Sequence, residues 1–242
     1  MENVEVKIYT NPKKVYNAIA KNILRLTQES NQKIFDIALS GGDSPKGLYK
    51  KMSKKYHDQI PWGKIHFWWG DERCVSPDSE QSNYKMAVDC LFSRIEIQKS
   101  NIHRIRGEED PETEAKRYSK ELTDKLNSRG KVPVFDLIVL GLGEDGHTAS
   151  IFPDQLELFD YPENCAVATH PITGQKRITF TGNVLNNANR VFFLVTGKNK
   201  AMRVSEIMND NEAAKLLPAY YIAPKNGELT WFLDEEAAAL IS

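Results

Sequence analysis

The chain has 242 residues, of which 40% are hydrophobic, 10% aromatic and 27% charged, and its 32 Lys and Arg against 33 Asp and Glu give a formal net charge of -1. That length accommodates one large α/β domain, or at most two small ones, with a substantial buried core. The balance excludes a global basic excess for a nucleic-acid backbone and the apolar-poor composition of a disordered chain, and no apolar run approaches the roughly 18 residues of a membrane span.

The opening segment, MENVEVKIYTNP, is acidic and alternating. Val4, Val6 and Ile8 predict a half-buried strand, and nothing in the segment reads as a signal peptide. Pro12, behind Asn11, suits a first helical position, and Val15, Ile19, Ile23 and Leu26 follow at helical spacing. Ile34 to Leu39 is a short apolar run that ends in SGGDSP. Leu48, Met52 and Tyr56 then mark one helix face. Ile65 to Trp69 predicts another strand, ending in GDER. Asp110 and Pro111 predict the cap and first residue of a helix with Ala115, Tyr118, Leu122 and Leu126 as its buried stripe, stopped by Gly130. Val134 to Leu140 is the most apolar strand, and it too ends in glycines. Cys165 to Thr169, Ile178 to Thr181, Val191 to Thr196 and Leu229 to Leu233 are the later strands.

Strand–helix alternation with nearly continuous apolar strands predicts an α/β fold with a mainly parallel sheet and helices on both faces, without repeat or dividing linker. The three cysteines, Cys74, Cys90 and Cys165, are an odd number without CxxC spacing. Neither a disulfide framework nor a thiolate zinc site is indicated, and a reducing, cytoplasmic setting is expected.

Ligands of open α/β sheets sit beyond the carboxyl ends of the strands, where the three unusual loops fall. In Ser40 to Pro45, two adjacent glycines ahead of a helix expose backbone amides, and with the helix dipole behind them they form an anion site suited to phosphate. An ordinary strand-to-helix turn uses the same residue types, and Asp43 must point its carboxylate away from any anion. GLGEDG, Gly141 to Gly146, formally matches a dinucleotide fingerprint, but Glu144 and Asp145 would set two carboxylates beside a pyrophosphate and Pro153 cuts off a following helix. His147 carries more information. An imidazole on a glycine-flanked loop at the end of a buried strand faces the crevice, can exchange a proton near neutrality, and has Asp145 close enough to bias its tautomer. The other histidines, His57, His66, His103 and His170, have no comparable setting. In Gly70 to Arg73, either Arg73 offers its planar fork to a carbonyl or carboxylate, or Asp71 and Glu72 hold it in a structural salt bridge. Arg177 and Lys200 are late basic residues near strand ends, each either solvated or part of a phosphate site.

Four blocks, ALSGGDSPKGLY, WWGDERCVSPDSEQSNY, FDLIVLGLGEDGHTASIFP and RITFTGNVLNNANRVFFLVTGKNKA, together resemble the 6-phosphogluconolactonase branch of the glucosamine-6-phosphate isomerase/6-phosphogluconolactonase family. The resemblance implies one Rossmann-like domain over residues 1–242 that hydrolyses 6-phospho-D-glucono-1,5-lactone in the oxidative pentose phosphate pathway. It implies no metal or redox cofactor. The implied partner is a small phosphorylated sugar lactone, with no nucleic acid or membrane, and the chain is expected to be a monomer or small homo-oligomer. His147 falls on the family's catalytic histidine, with Asp145 orienting or tuning it, and Arg73 on the arginine of its DER segment. Ser40, Gly41, Gly42, Ser44, Arg177 and Lys200 fall on positions around the substrate phosphate. Asp71 and Asn83 match the family pattern and are grouped with the substrate-binding residues. The rival readings are the sister amino-sugar phosphate isomerase/deaminase and a non-catalytic sugar-phosphate-binding protein. The deaminases carry a glutamate five residues after the histidine, where this chain has Phe152, which cannot exchange a proton.

Overall fold

The computed structural model describes residues 4–241, so the first three residues of the opening segment lie outside the described residues. In chain order, β1 (Val4–Tyr9) leads into α1 (Pro12–Glu29), β2 (Phe35–Leu39) into α2 (Asp43–Lys55), and β3 (Ile65–Trp69) into β4 (Asp71–Arg73). Next come α3 (Asn83–Cys90), α4 (Pro111–Lys125), a hairpin of β5 (Ser128–Arg129) and β6 (Val132–Pro133), and β7 (Leu137–Leu140). The chain closes with β8 (Cys165–Thr169), β9 (Lys176–Phe180), α5 (Gly182–Leu185), β10 (Arg190–Val195), α6 (Ala201–Met208) and β11 (Glu228–Asp234).

Six strands form a parallel sheet in the order β1-β11-β10-β7-β2-β3. From β2 the chain builds outward to β3, and from β7 it builds the other way through β10 and β11. The direction of winding therefore reverses between the adjacent strands β2 and β7, and a crevice opens at such a switch point. β10 and β11 are buried along nearly their whole length, so both faces are covered. Phe193 stacks on Trp231 at 3.9 Å on one side, and Phe192 meets Phe232 edge-on at 4.9 Å on the other. Among the described residues no helix is long and apolar enough to cross a membrane.

The helix starts are as the residues predict. The Asn11 side chain accepts from the Lys14 amide, and Asp110 from that of Thr113. Val15, Ile19, Ile23 and Leu26 are buried, as are Ala115, Tyr118, Leu122 and Leu126. Three local expectations need correction. β1 is a strand but not half-buried on its apolar side, because it is the sheet edge: Val6 and Ile8 are 39% and 51% exposed. Gly130 does not stop α4. The helix ends at Lys125 as Leu126 turns extended, and Gly130, at φ 70°, makes the hairpin turn. GDER is not a plain loop at a strand end. After Gly70 donates to Leu39 O, Asp71–Arg73 becomes the outer strand of a second, antiparallel sheet ordered β4-β9-β8. That small sheet leaves the parallel one at Gly70 and forms a wall beside the crevice. α4 packs against it, and its Tyr118 hydroxyl accepts from the Trp69 amide at 3.0 Å.

At the opposite, amino ends of β2 and β7 lie Asp36 and Asp136, with the Asp36 amide donating to Asp136 Oδ2 at 2.9 Å. Burial pushes the Asp36 carboxyl up to about 6, against the hydrogen bond from Trp68 Nε1 and with the Asp136 charge adding to the rise. A raised folded-state value means stability is fully present below the ordinary carboxyl range and is lost as pH rises through about 6. Asp36→Asn keeps an acceptor for Trp68 and is expected to stabilise the protein by about 1–2 kcal/mol at pH 8, and hardly at all at pH 4. Urea melts at the two pH values measure this; equal effects at both would refute it.

Candidate active site

The carboxyl ends of β2, β7 and β10 open into a crevice of about 420 Å³, walled on one side by β4 and β9. The glycine loop forms its floor. Ser40 is anchored, not free: its Oγ donates to Val139 O at 2.7 Å, and the Tyr49 hydroxyl donates to its carbonyl at 2.7 Å. Its backbone still borders the crevice, as do Gly41, Gly42 and Ser44. Gly42 caps α2 at φ 102°, a conformation glycine tolerates, and leaves the first amides of that helix open. Ser44 Oγ shares a 2.7 Å hydrogen bond with Thr196 Oγ1 at the end of β10. Asp43 stands on the exposed rim.

Asn83 is grouped with the substrate-binding residues on sequence, but it does not line this crevice. It is buried behind the loop, where Nδ2 donates to Asp71 O at 2.9 Å. A β-carbon on Gly41 would overlap its carboxamide, so Gly41 is a glycine because Asn83 packs there. Asp71 borders the crevice, and its Oδ2 accepts from Ser150 Oγ at 2.7 Å.

Arg73 is not held in the salt bridge that one of its two readings expects; its Nη1 donates to Gln81 O at 2.6 Å. Among the described residues neither Asp71 nor Glu72 pairs with it. Glu72 instead accepts from the amides of Arg73, Asn83 and Tyr84 and from Ser82 Oγ, which starts α3. Arg73 lies directly across from Arg177 in the β4–β9 pairing. Like charges at opposed positions destabilise a sheet, and the Nε of both arginines is buried without a partner. Burial, and then the Arg73 charge, pushes the Arg177 guanidinium down from its ordinary value. An anion bound in the crevice would offset the repulsion between the two guanidiniums.

His147 lines the same crevice. Its Nδ1 lies 2.6 Å from Asp145 Oδ1, and its own amide donates to that oxygen at 3.1 Å. Burial works to raise the Asp145 carboxyl, but the hydrogen bonds and charge of His147 outweigh it and hold it at about 2. An ionised Asp145 can only accept, so Nδ1 carries the proton of that bond. The glycines of GLGEDG serve this pair. A β-carbon on Gly143 would overlap the imidazole and the Asp145 carboxylate, and one on Gly146 would strike Leu217. Ala149, at φ 49°, also borders the crevice in a strained conformation. Phe152 is fully buried beneath the site, its ring centroid 4.9 Å from that of His147 and 5.9 Å from the Arg177 guanidinium. No acid–base group therefore stands at that position.

Lys200 completes the cationic lining. Burial lowers its ammonium, while Glu144 and Asp145 act in the opposite direction. Asn199 Nδ2 donates to Glu144 Oε1 at 2.5 Å and Arg203 Nε to Glu144 O at 3.1 Å, which ties the histidine loop to the start of α6. Thus His147, Asp71, Arg73, Arg177, Lys200 and the glycine loop share one crevice, with Asp145 directly behind His147. Sequence reading missed Tyr16, Glu144, Thr196 and Asn199. The last two were signalled by adjacency to the end of β10 and to Lys200; Tyr16 had no signal. None of His57, His66, His103 or His170 lines the crevice. His103 is a satisfied core histidine, stacked on Trp68 and bonded to Glu121 and His66. Among the described residues no group of three or more His, Cys, Asp and Glu is placed to hold a metal ion.

An imidazole bonded to a carboxylate shares one crevice with two arginines and a helix amino end at the sheet's switch point, the class of site that suits small anionic molecules. The chain belongs to the family described as glucosamine-6-phosphate isomerases/6-phosphogluconolactonase, whose model matches residues 10–231. It is similar to the 6-phosphogluconolactonase of Haemophilus influenzae, 45% identical over 85% of this chain and 87% of that one. It is also similar to the 6-phosphogluconolactonase of Treponema pallidum, 41% identical over 81% of each chain. The solved structure of 6-phosphogluconolactonase from Trypanosoma brucei superimposes with a TM-score of 0.86 at 29% identity, covering 98% of both chains.

Proposed function

We propose that this chain, acting as one domain over residues 1–242, hydrolyses 6-phospho-D-glucono-1,5-lactone to 6-phosphogluconate, the lactone-opening step of the oxidative pentose phosphate pathway. The observation that carries the reading is the His147–Asp145 pair sharing one crevice with Arg73, Arg177 and Lys200. Water attacks the lactone carbonyl carbon as His147 Nε2 takes its proton. The tetrahedral oxyanion is met by Arg73 and loop amides. The bond from the carbonyl carbon to the ring oxygen then breaks, and His147 returns the proton to that oxygen. Base catalysis of this kind contributes about 10²–10⁴-fold, and a well-placed oxyanion donor roughly 10²–10³-fold. The phosphate, held by the amino end of α2 with Arg177 and Lys200, supplies positioning energy remote from the reacting carbon. A lactone is an activated ester, so no serine needs to act as nucleophile.

The buried Phe152 speaks against the isomerase/deaminase reading, since ring-opening of an amino sugar would lack a proton-exchanging partner there. The setting is cytoplasmic, and the working unit a monomer or small homo-oligomer. Lactone hydrolysis and glucosamine-6-phosphate deamination, assayed side by side, test the proposal. Rapid lactone opening above the spontaneous rate without deamination is expected. Binding of sugar phosphates with neither turnover would leave a sensor.

Gly143→Ala adds only a methyl group at the crevice wall, but that methyl displaces His147 and Asp145. It is expected to lower kcat by about 10²-fold, the cost of an ångström-scale misplacement, while phosphate binding is retained. Steady-state kinetics with a phosphate-inhibition series check this; an unaltered kcat would mean the pair does not need its present position.

A further inference from the structure

Tyr16 is the only Phe, Tyr or Trp lining the crevice among the described residues. It lies on α1, which packs along α2. The phenol end of Tyr16 sits so close over Gly47 that a β-carbon there would overlap Cε2 and Cζ. Gly47 and Ser44 are three apart in α2 and share one helix face, so a ring seated on Gly47 lies one turn from the open amides at the amino end. The hydroxyls of the buried Tyr49 and Tyr118 are committed within the chain. That of Tyr16 makes no such bond among the described residues.

The glycine loop also offers fewer side-chain donors than its sequence suggests. The Ser40 proton is engaged by Val139 O, Ser44 is bonded to Thr196, and Asp43 brings a negative charge to the rim. A phosphate there needs donors from elsewhere, and a neutral phenol supplies one without adding repulsion to the neighbouring cations.

We propose that Tyr16 is a phosphate-binding residue of this crevice, its phenol O–H donating to a phosphate oxygen held at the amino end of α2, with Gly47 the glycine that seats it. The inference rests on the sugar-phosphate reading and adds to it a donor that no motif marks.

Calorimetric titration of the wild-type chain, Tyr16→Phe and Gly47→Ala with inorganic phosphate and with 6-phosphogluconate tests it, alongside KM and kcat for the lactone. Tyr16→Phe is expected to weaken both ligands about five- to tenfold, the loss of one charge-assisted hydrogen bond at a half-exposed site. KM should rise in parallel and kcat stay within about twofold. Gly47→Ala shifts the flexible end of Tyr16 and should reproduce the binding loss without placing anything in the crevice. The loss should be confined to phosphorylated ligands; an equal loss with unphosphorylated glucono-1,5-lactone would mean a structural role and overturn the proposal. Wild-type affinity for both ligands in Tyr16→Phe would overturn the proposal, and loss in Tyr16→Phe alone would remove the role of Gly47. If the wild-type chain binds phosphate in a Tyr16-dependent way yet opens no lactone, the reaction is misassigned and the Tyr16 inference stands.

Discussion

His147→Ala is expected to lower kcat for lactone opening by about 10²–10⁴-fold, with the affinity for 6-phosphogluconate nearly unchanged. The asymmetry follows from position. In the proposed reaction the imidazole serves the lactone carbonyl, while Lys200 and the amino end of α2 hold the phosphate. Asp145→Asn should fall between wild type and His147→Ala, because a carboxamide can still accept from Nδ1 but no longer balances the imidazolium charge. The sign of the pH effect is fixed by the same pair. Asp145 is held at about 2, below the ordinary 3.8. Its contribution to stability is therefore present above the ordinary value and lost as pH falls through about 2. Asp145→Asn should flatten acid unfolding in that window. Full activity of His147→Ala, after subtraction of spontaneous lactone opening, would sink the base assignment.

Arg177→Met is expected to raise KM for the phosphorylated lactone by about 10²-fold, the scale of losing a charge-assisted contact to phosphate, and at the same time to raise the melting temperature of the ligand-free protein. The second effect is the more diagnostic. Arg177 lies across from Arg73 in the β4–β9 pair, both with an unpartnered buried Nε. The methionine stem keeps the packing on Phe152 and removes a buried charge with its repulsion. Inorganic phosphate should stabilise the wild type by mass action and the variant much less. Thermal melts with and without phosphate read both effects. A variant that melts lower without ligand would mean that Arg177 is a structural residue whose charge is compensated in the fold.

Much of this molecule was legible because its signals are local. A proline behind Asn11 and a buried stripe at helical spacing define α1, since capping and amphipathicity act within a few turns. Asp110 and Pro111 do the same for α4. His147 stood out because a glycine-flanked imidazole after an apolar strand faces the open end of a parallel sheet. The misreadings are of another kind. Gly130 serves a hairpin and not a helix end, because Leu126 had already turned extended. Asn83 sits in a block that resembles the family, yet its carboxamide is held by Asp71 O and fills the space beside Gly41. GDER reads as a loop after a strand but is itself paired with β9, more than a hundred residues further on.

By itself the sequence determined the alternation of strand and helix, the loops that line the crevice, and the imidazole with its neighbouring carboxylate. These follow from periodicity, from backbone freedom at glycine and from contacts two residues apart. Only the tertiary structure decided that Arg73 and Arg177 face each other, that the Ser40 hydroxyl is spent on Val139 O, and that Tyr16 reaches the crevice over Gly47. Each of these depends on strand register or helix packing between distant segments, and a spacing along the chain carries no record of which segments meet.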